Sequence, residues 1–175
     1  MASASRSTTH RGTDVHPAYV AVVGPSAPDD RAVLDQAQTA GRLLAERGFV
    51  VVTGGLGGVM ASAARGVAEA GGTAVALLPN DDRASASPGH TVVIPTGMGE
   101  MRNALIVRTV DAVLALGGGW GTLSEIALAA RTGVPVLAIG SWDLPAPQVT
   151  TCPSVEVAVD RLADMLGAGT SAQPG

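Results

Sequence analysis

The sequence predicts an α/β protein built on a doubly wound parallel sheet with helices on both faces, in three layers. Short apolar runs alternate with longer stretches whose apolar residues recur at helical spacing, as in parallel strands joined by crossover helices. Glycine clusters follow five of the six main predicted strands, at the end where open α/β sheets bind ligands. The composition, 46% hydrophobic with 23 glycines and 15% charged residues, fits the same class.

The first half of the chain predicts strands that end at glycines and helices that stop at glycines. Its apolar runs are too short for buried helices and are bounded by turn residues, which favours strands. We predict strands at 19–24, 49–53, 73–78 and 91–94, and helices from 29 or 30 to 47 and at 59–70. The polar stretch at 79–91 contains two prolines and no periodicity, so it predicts a surface loop in which Arg83 and His90 are candidates for binding.

The second half continues the alternation. We predict helices at 98–110, 122–132 and 155–166, strands at 111–117 and 134–139, and a short edge strand at 148–151. Residues 1–17 and 168–175 are poor in apolar side chains, which predicts disordered tails. Residues 18–167 are therefore expected to form a single domain of ordinary size.

Composition excludes several classes of function. The net charge of -4 argues against nucleic acid as the main partner. All basic residues are arginine, and the lack of lysine excludes both a pyridoxal phosphate enzyme and a Walker A loop. The single cysteine, Cys152, cannot form an internal disulfide, and it has no basic neighbour in sequence to activate it.

Other absences set further expectations. We find no leader peptide and no run of 18 apolar residues, so we expect a cytoplasmic protein without a membrane partner. His, Cys and carboxylate residues form no cluster in the sequence, so we expect no metal held by the protein itself.

The segment 111–133 is the centre of the functional prediction. A buried strand ends in Gly117, Gly118 and Gly119, and Gly121 follows Trp120. A helix that begins after such a turn directs free N–H groups and a partial positive charge at the carboxyl end of the strand. Because glycines leave that backbone accessible, we predict a phosphate site here. The alternative is a tight connection with no ligand.

Glu125 allows two interpretations. The stretch from Thr122 to Glu125 fits a capping box, in which the two side chains bond each other's backbone N–H groups. Glu125 is then structural. Alternatively, an ionised carboxylate held at a helix start lies beside a phosphorylated ligand and stabilises a cationic sugar or orients water.

We expect three segments to meet in a crevice between the first and fourth strands. They are 24–26, which includes Gly24 and Ser26, 97–103, which includes Gly97 and Asn103, and 117–125, and we predict that they bind one ligand between them. Gly55, a further candidate for ligand binding, belongs to a second cluster, after the strand at 49–53, that imitates a dinucleotide fingerprint without its third glycine.

The triplet 101–103, which holds Arg102 and Asn103, lies some fifteen residues before the Gly-Gly-Gly-Trp-Gly-Thr-Leu-Ser-Glu run. With these motifs the chain resembles the Rossmann-like family long mislabelled lysine decarboxylases. That family includes the Lonely Guy cytokinin-activating phosphoribohydrolases and the molybdenum cofactor carrier proteins. The similarity covers about residues 19–166, and the lack of lysine excludes the decarboxylase activity.

The resemblance implies roles for individual residues. In the phosphoribohydrolases the motif is Pro-Gly-Gly-x-Gly-Thr-x-x-Glu, with an upstream arginine followed by lysine. This implies that Glu125 and Arg102 are the catalytic pair and that the motif glycines and Thr122 hold a 5′-phosphate. Here Gly117 replaces the proline and Asn103 the lysine, which is more similar to the carrier and uncharacterised branch.

Two functions follow from these residues. The first is a binder of a phosphorylated pterin or nucleotide, with molybdenum cofactor as the leading example of a bound ligand. The second is a phosphoribohydrolase that cleaves the N-glycosidic bond of a purine riboside 5′-monophosphate. Arg102 either binds ligand or lies solvated on its helix, and Trp120 either stacks on a base or pterin or covers a neighbouring subunit.

Helix segments 104–107 and 126–130 are apolar on more than one face, which predicts a homodimer or larger homo-oligomer.

Overall fold

A computed structural model of the chain describes residues 16–142 and 144–167. The predicted tails lie outside these residues, except for positions 16 and 17. The described part contains a seven-stranded sheet in the order β4-β3-β2-β1-β5-β6-β7, and all neighbouring strands pair in parallel. The predicted fold class, a doubly wound parallel sheet, is confirmed.

The elements follow the predicted alternation. The strands are β1 (Tyr19–Val23), β2 (Val50–Thr53), β3 (Ala74–Leu78), β4 (Val92–Pro95), β5 (Ala112–Leu116), β6 (Val136–Ile139) and β7 (Val149–Thr151). The helices are α1 (Ala32–Glu46), α2 (Val59–Glu69), α3 (Arg102–Arg108), α4 (Trp120–Thr132) and α5 (Val155–Leu166). Short 3-10 turns lie at Arg83–Ser85 and Gly99–Met101.

Each face of the sheet has its own apolar core. Helices α1, α2 and α5 cover one face, and α3 and α4 cover the other. All five residues of β5 are buried, as expected for a central strand with helices on both sides. Helices α1 and α2 touch backbone to backbone, because a Cβ at Gly66 would lie 1.9 Å from the carbonyl oxygen of Gln38.

The position of the strand-order switch corrects the sequence prediction. We expected the crevice between the first and fourth strands, but β4 is at the edge of the sheet and β5 lies beside β1. Strands β1 to β4 follow one another toward one edge of the sheet. The connection through α3 then brings the chain back to β5, on the other side of β1. The switch point, where ligands bind in such sheets, therefore lies between β1 and β5.

Two helix starts also differ from the prediction. The helix expected from residue 98 begins as a 3-10 turn, and only Arg102–Arg108 is α-helical. Helix α4 begins at Trp120, two residues before the predicted start. Among the described residues, no helix combines the length and the apolar character needed to cross a membrane.

Candidate functional site

The loops that follow β1, β2 and β5 meet at the carboxyl edge of the sheet. Pro25 O, after β1, accepts a hydrogen bond of 3.1 Å from Val59 N at the start of α2. A Cβ at Gly58 would lie 2.4 Å from Pro25 O, and one at Gly24 would lie 2.5 Å from Leu116 O at the end of β5. Glycine is therefore required at these positions because neighbouring backbones are in contact there.

The turn between β5 and α4 presents free amide groups. Gly117 has a φ of 66°, which favours glycine. Its N–H still belongs to the sheet and bonds Ile139 O at 3.0 Å, whereas the first helical bond runs from Leu123 N to Gly119 O at 2.9 Å. The N–H groups at positions 118–122 therefore have no helical acceptor. Together with the helix dipole they form an anion-binding corner.

The capping-box interpretation of Thr122 and Glu125 is wrong. Gly119 caps α4 in an extended conformation, without a side-chain hydrogen bond. Thr122 and Glu125 consequently lie inside the first turns of the helix, where their side chains share one face. Thr122 is 2% exposed, and its hydroxyl oxygen has no partner among the described residues. The sequence alone did not reveal this position of Thr122 and Glu125, because the glycines allow the helix to begin before Thr122.

Arg102 begins α3 and points inward. It is 7% exposed, so the alternative of a solvated helix arginine is wrong. Its guanidinium packs on the backbone after β2, since a Cβ at Gly54 would lie 2.5 Å from both terminal nitrogens. Arg102 Nε is buried and has no hydrogen-bond partner within the described residues. A buried cation with an open donor is suited to an anionic ligand.

Arg102 faces Glu125 in a buried pair. The Arg102 Nη1 and Glu125 Oε1 atoms are 3.9 Å apart, which is an ionic contact but too long for a hydrogen bond. Burial raises the pKa of Glu125 to about 7, and the charge of Arg102 opposes this increase. Burial likewise lowers the pKa of Arg102. Because desolvation dominates, the ionised carboxylate of the second interpretation is only partly ionised near neutral pH.

Asn103 connects the arginine to α4. Arg102 Nη1 donates to Asn103 Oδ1 at 3.2 Å, and Asn103 Nδ2 donates to Ser124 Oγ at 3.1 Å. The Ser124 hydroxyl in turn donates to Gly121 O at 2.7 Å. Asn103, which we predicted to bind ligand, thus holds Arg102 against the first turn of α4. Ser124 was not predicted, because only the fold brings it to Asn103.

The glycine turn after β2 is fixed by the loop at 79–91. Gly55 N donates to Thr53 Oγ1 at 3.0 Å, and Ser87 N donates to Gly55 O at 2.9 Å. His90 lies 2.7 Å from Thr53 Oγ1 through Nε2 and 2.9 Å from Ser87 O through Nδ1. Since a carbonyl only accepts, Nδ1 carries the proton and Nε2 accepts from the Thr53 hydroxyl. Burial lowers the pKa of His90, so this candidate binding residue supports the loop as a neutral imidazole.

The remaining predicted residues divide into two groups. Ser26 is exposed in the loop after β1, and its carbonyl oxygen is 2.4 Å from a Cβ built at Gly58, so it belongs to the same corner. Gly97 lies after the edge strand β4, where its N–H bonds Asn80 O at 3.0 Å. The described contacts do not bring Gly97 or the exposed Arg83 to the Arg102 and Glu125 pair.

The tryptophans lie beside the glycine turn. Trp120 is 80% exposed, and its ring centroid is 5.6 Å from that of Trp142. Trp142 Nε1 donates to Gly119 O at 3.2 Å. The sequence singled out Trp120 but not Trp142, because the second ring follows β6 and reaches the turn only through the sheet order.

The corner thus combines free amides, a buried arginine and a carboxyl group that titrates near neutrality. These groups are suited to holding an anion and to exchanging a proton beside it. Among residues 16–142 and 144–167, no group of three His, Cys, Asp or Glu residues could hold a metal ion.

Sequence comparisons find relatives of two kinds. An uncharacterized protein of Archaeoglobus fulgidus is 43% identical over 99 residues, which is 57% of this chain and 65% of that protein. A probable cytokinin riboside 5′-monophosphate phosphoribohydrolase of Oryza sativa subsp. japonica is 34% identical over 106 residues, 59% of this chain and 47% of that protein. This chain therefore matches only about half to two thirds of the length of these relatives.

Among solved structures, the molybdenum cofactor binding protein of the phototrophic bacterium Rippkaea orientalis has a TM-score of 0.82 at 31% identity. The match covers 87% of this chain and 99% of that chain. These relatives confirm the resemblance based on the glycine motif and Arg102. The model of the SLOG cluster4 family matches residues 17–164, which include the whole candidate site. The chain therefore belongs to the SLOG cluster4 family.

Proposed function

We propose that this protein binds a phosphorylated pterin or nucleotide-like molecule, with the phosphate at the amides of the β5–α4 turn. The observation that carries the proposal is that two buried polar atoms of the corner, Arg102 Nε and Thr122 Oγ1, have no hydrogen-bond partner among the described residues. Buried polar groups are nearly always hydrogen-bonded in native proteins. Two open donors beside free helix amides therefore favour a ligand rich in acceptor oxygens, as a phosphate is.

The charge of the corner supports the same ligand class. Arg102 and the amino end of α4 are both positive. Glu125 is the opposing charge, and with a pKa of about 7 it is partly protonated at neutral pH. Proton uptake by Glu125 would remove repulsion when a phosphate dianion arrives. The charge of the corner thus suits a phosphate dianion.

Molybdenum cofactor is the leading example of such a ligand, because it is a phosphorylated pterin and the similar Rippkaea orientalis structure is of a molybdenum cofactor binding protein. In this proposal any metal arrives with the pterin as cargo. The phosphate would lie against the positions 118–122 and Arg102.

A second candidate function is hydrolysis of a nucleoside 5′-monophosphate, and the raised pKa of Glu125 is the observation that favours it. Water would add to C1′ of the ribose as the N-glycosidic bond breaks, the electron pair of that bond would leave with the base, and the proton that the water loses would pass through Glu125 to the base. Glu125 would stabilise the positive charge that develops on the sugar and accept a proton from the water. The products would be free base and ribose 5-phosphate.

One assay separates the two functions. Purified protein is incubated with AMP and with N6-substituted AMP, and free base is measured by chromatography beside Glu125→Gln. The binding function predicts no free base at high protein concentration, together with a fluorescent pterin or molybdenum that copurifies. Release of base by the wild type but not by the variant would instead assign hydrolysis. If the protein neither releases base nor binds any phosphorylated probe, both functions are contradicted.

Gly121→Ala tests whether the ligand occupies the space above α4. A Cβ at Gly121 meets no atom within 4 Å, and alanine is favoured in helices, so we expect the free protein to gain about 0.5 kcal/mol of stability. We also expect about 10-fold weaker binding, since the methyl group would intrude on a bound phosphate. Thermal unfolding and calorimetry measure the two effects. Unchanged affinity for a phosphorylated ligand would show that the ligand does not approach Gly121.

We also propose that the protein forms a homodimer, through a different surface from the one that the sequence predicted. Ile106, Val107, Ile126 and Ala129 of the predicted helix faces are buried against the sheet, so they are not free to contact a partner. The exposed apolar side chains instead include Val92 and Ile94 on β4 and Met101 before α3, which are 43%, 43% and 74% exposed. Sedimentation should give a dimer that Ile94→Glu dissociates. A wild-type monomer at micromolar concentration would contradict this.

A further inference from the structure

We propose that Trp120 and Trp142 form an aromatic wall that receives the flat ring of the ligand. The wall would make the site select phosphorylated heterocycles over phosphorylated sugars. This inference rests on the proposed function, because it assumes that a phosphate binds at the adjacent amides.

The wall is part of the same turn as the phosphate corner. Trp142 Nε1 donates to Gly119 O at 3.2 Å, and a Cβ at Gly118 would lie 3.4 Å from the same nitrogen. Trp142 therefore fixes the shape of the turn from the β6 side. Trp120 directly follows Gly119, and its ring stands 5.6 Å from that of Trp142 at a tilt of 35°. Trp142 is thus held by a hydrogen bond, whereas Trp120 lies against it and is exposed.

The exposure of Trp120 is the second observation. Its side chain is 80% exposed. The chain has only two tryptophans, one tyrosine and one phenylalanine, so one of its few large aromatic side chains is left in water at this turn. A large aromatic surface left in water gains free energy when a flat ring covers it. Stacking of a base on an aromatic side chain strengthens binding by about 5- to 100-fold.

A small ligand fits this position better than a second copy of the chain. Trp120 lies one residue from Gly119, and consecutive Cα atoms are about 3.8 Å apart, so a ring attached to a bound phosphate is within reach of the indole. The exposed residues Val92 and Ile94 lie on β4, at the edge, four places from β5 in the sheet order. Trp120 is therefore separate from the apolar strand that we assign to a dimer.

The test compares ring-bearing and ring-free phosphates. We would titrate wild type and Trp120→Ala with AMP, GMP, neopterin monophosphate and ribose 5-phosphate by calorimetry. In the wild type, tryptophan fluorescence gives a second signal, because both tryptophans of the chain lie at this turn. We expect Trp120→Ala to weaken the best ring-bearing probe by about 5- to 100-fold and ribose 5-phosphate by less than about 2-fold. Trp120→Phe should restore most of the loss, and Met165→Ala, an exposed change on α5, should have no effect.

The possible outcomes distinguish this inference from the proposed function. If the wild type binds none of the four probes, the proposed function fails and the inference fails with it. If the wild type binds but Trp120→Ala weakens all four probes equally, or none, the phosphate corner stands and the aromatic wall is refuted. Conversion of a dimer into a monomer by Trp120→Ala, with ligand affinity unchanged, would assign the indole to a subunit contact and would also overturn the inference.

Discussion

Replacing Arg102 with alanine is expected to weaken the binding of a phosphorylated ligand by about 10- to 100-fold, the loss typical of a hydrogen bond to a charged group. Arg102 is 7% exposed and has an unpartnered Nε, so its interaction with an anion is poorly screened by water. The substitution also leaves Glu125 without its positive neighbour, which raises the pKa of the carboxyl further. Calorimetric titration with AMP and with a phosphorylated pterin measures the loss.

Matched variants separate the guanidinium from the general charge of the protein. Arg108→Ala removes an exposed arginine from the same helix and should leave affinity unchanged. Gly54→Ala keeps Arg102 but places a methyl group 2.5 Å from its terminal nitrogens, so it should displace the guanidinium and reproduce much of the loss. Equal affinities of wild type, Arg102→Ala and Gly54→Ala would remove Arg102 from the site.

The second large effect is a dependence of stability on pH caused by Glu125. Folding raises the pKa of this group from 4.5 to about 7, so the folded state binds the proton more tightly than the unfolded state does. The resulting stabilisation is complete below pH 4.5 and is lost as the pH rises through about 7. A shift of this size corresponds to roughly 3 kcal/mol, or about 6 to 12 °C in Tm for a chain of this length.

Glu125→Gln isolates this effect, because glutamine has nearly the same shape and does not titrate. His90 acts in the opposite direction, since its lowered pKa makes stability rise with pH as the imidazole loses its proton. The difference in unfolding free energy between Glu125→Gln and wild type cancels the His90 contribution. We expect this difference to grow in favour of the variant from pH 5 to pH 8. A constant difference over that range would mean that Glu125 has an ordinary pKa and is not desolvated.

The same titration affects binding. A phosphate dianion at the β5–α4 turn favours the protonated form of Glu125, so affinity should decrease above pH 7, where the carboxyl is charged in the free protein. Glu125→Gln should lose this decrease. Protonation of Glu125 thus affects both the free energy of unfolding of the free protein and its affinity for an anion.

The strands and helices were predictable because local sequence decides most of them. Runs such as 112–116 are apolar at every position and end in glycine, a pattern typical of a strand buried on both faces. Gly133 ends α4 at a φ of 79°, where a residue without a Cβ is favoured. The glycine turn and the residues Arg102, Thr122 and Glu125 were also visible in the sequence as a motif.

The remaining properties depend on contacts between distant segments. The fourth strand extends the sheet outward, so β1 meets β5, which spacing along the chain does not reveal. The burial of Arg102 depends on Gly54, and the anchoring of Trp142 depends on Gly119. The pKa of Glu125 depends on its burial and on the charge of Arg102, which begins a different helix. A motif therefore predicted which residues form the corner, but not their charge or their partners.

A crystal structure of the protein with saturating AMP or neopterin monophosphate tests the central claim most directly. The account predicts that the phosphate lies within hydrogen-bond distance of amide groups at positions 118–122 and of the Arg102 guanidinium. A phosphate bound at another part of the surface, with the amides before Leu123 still in contact with water alone, would contradict it.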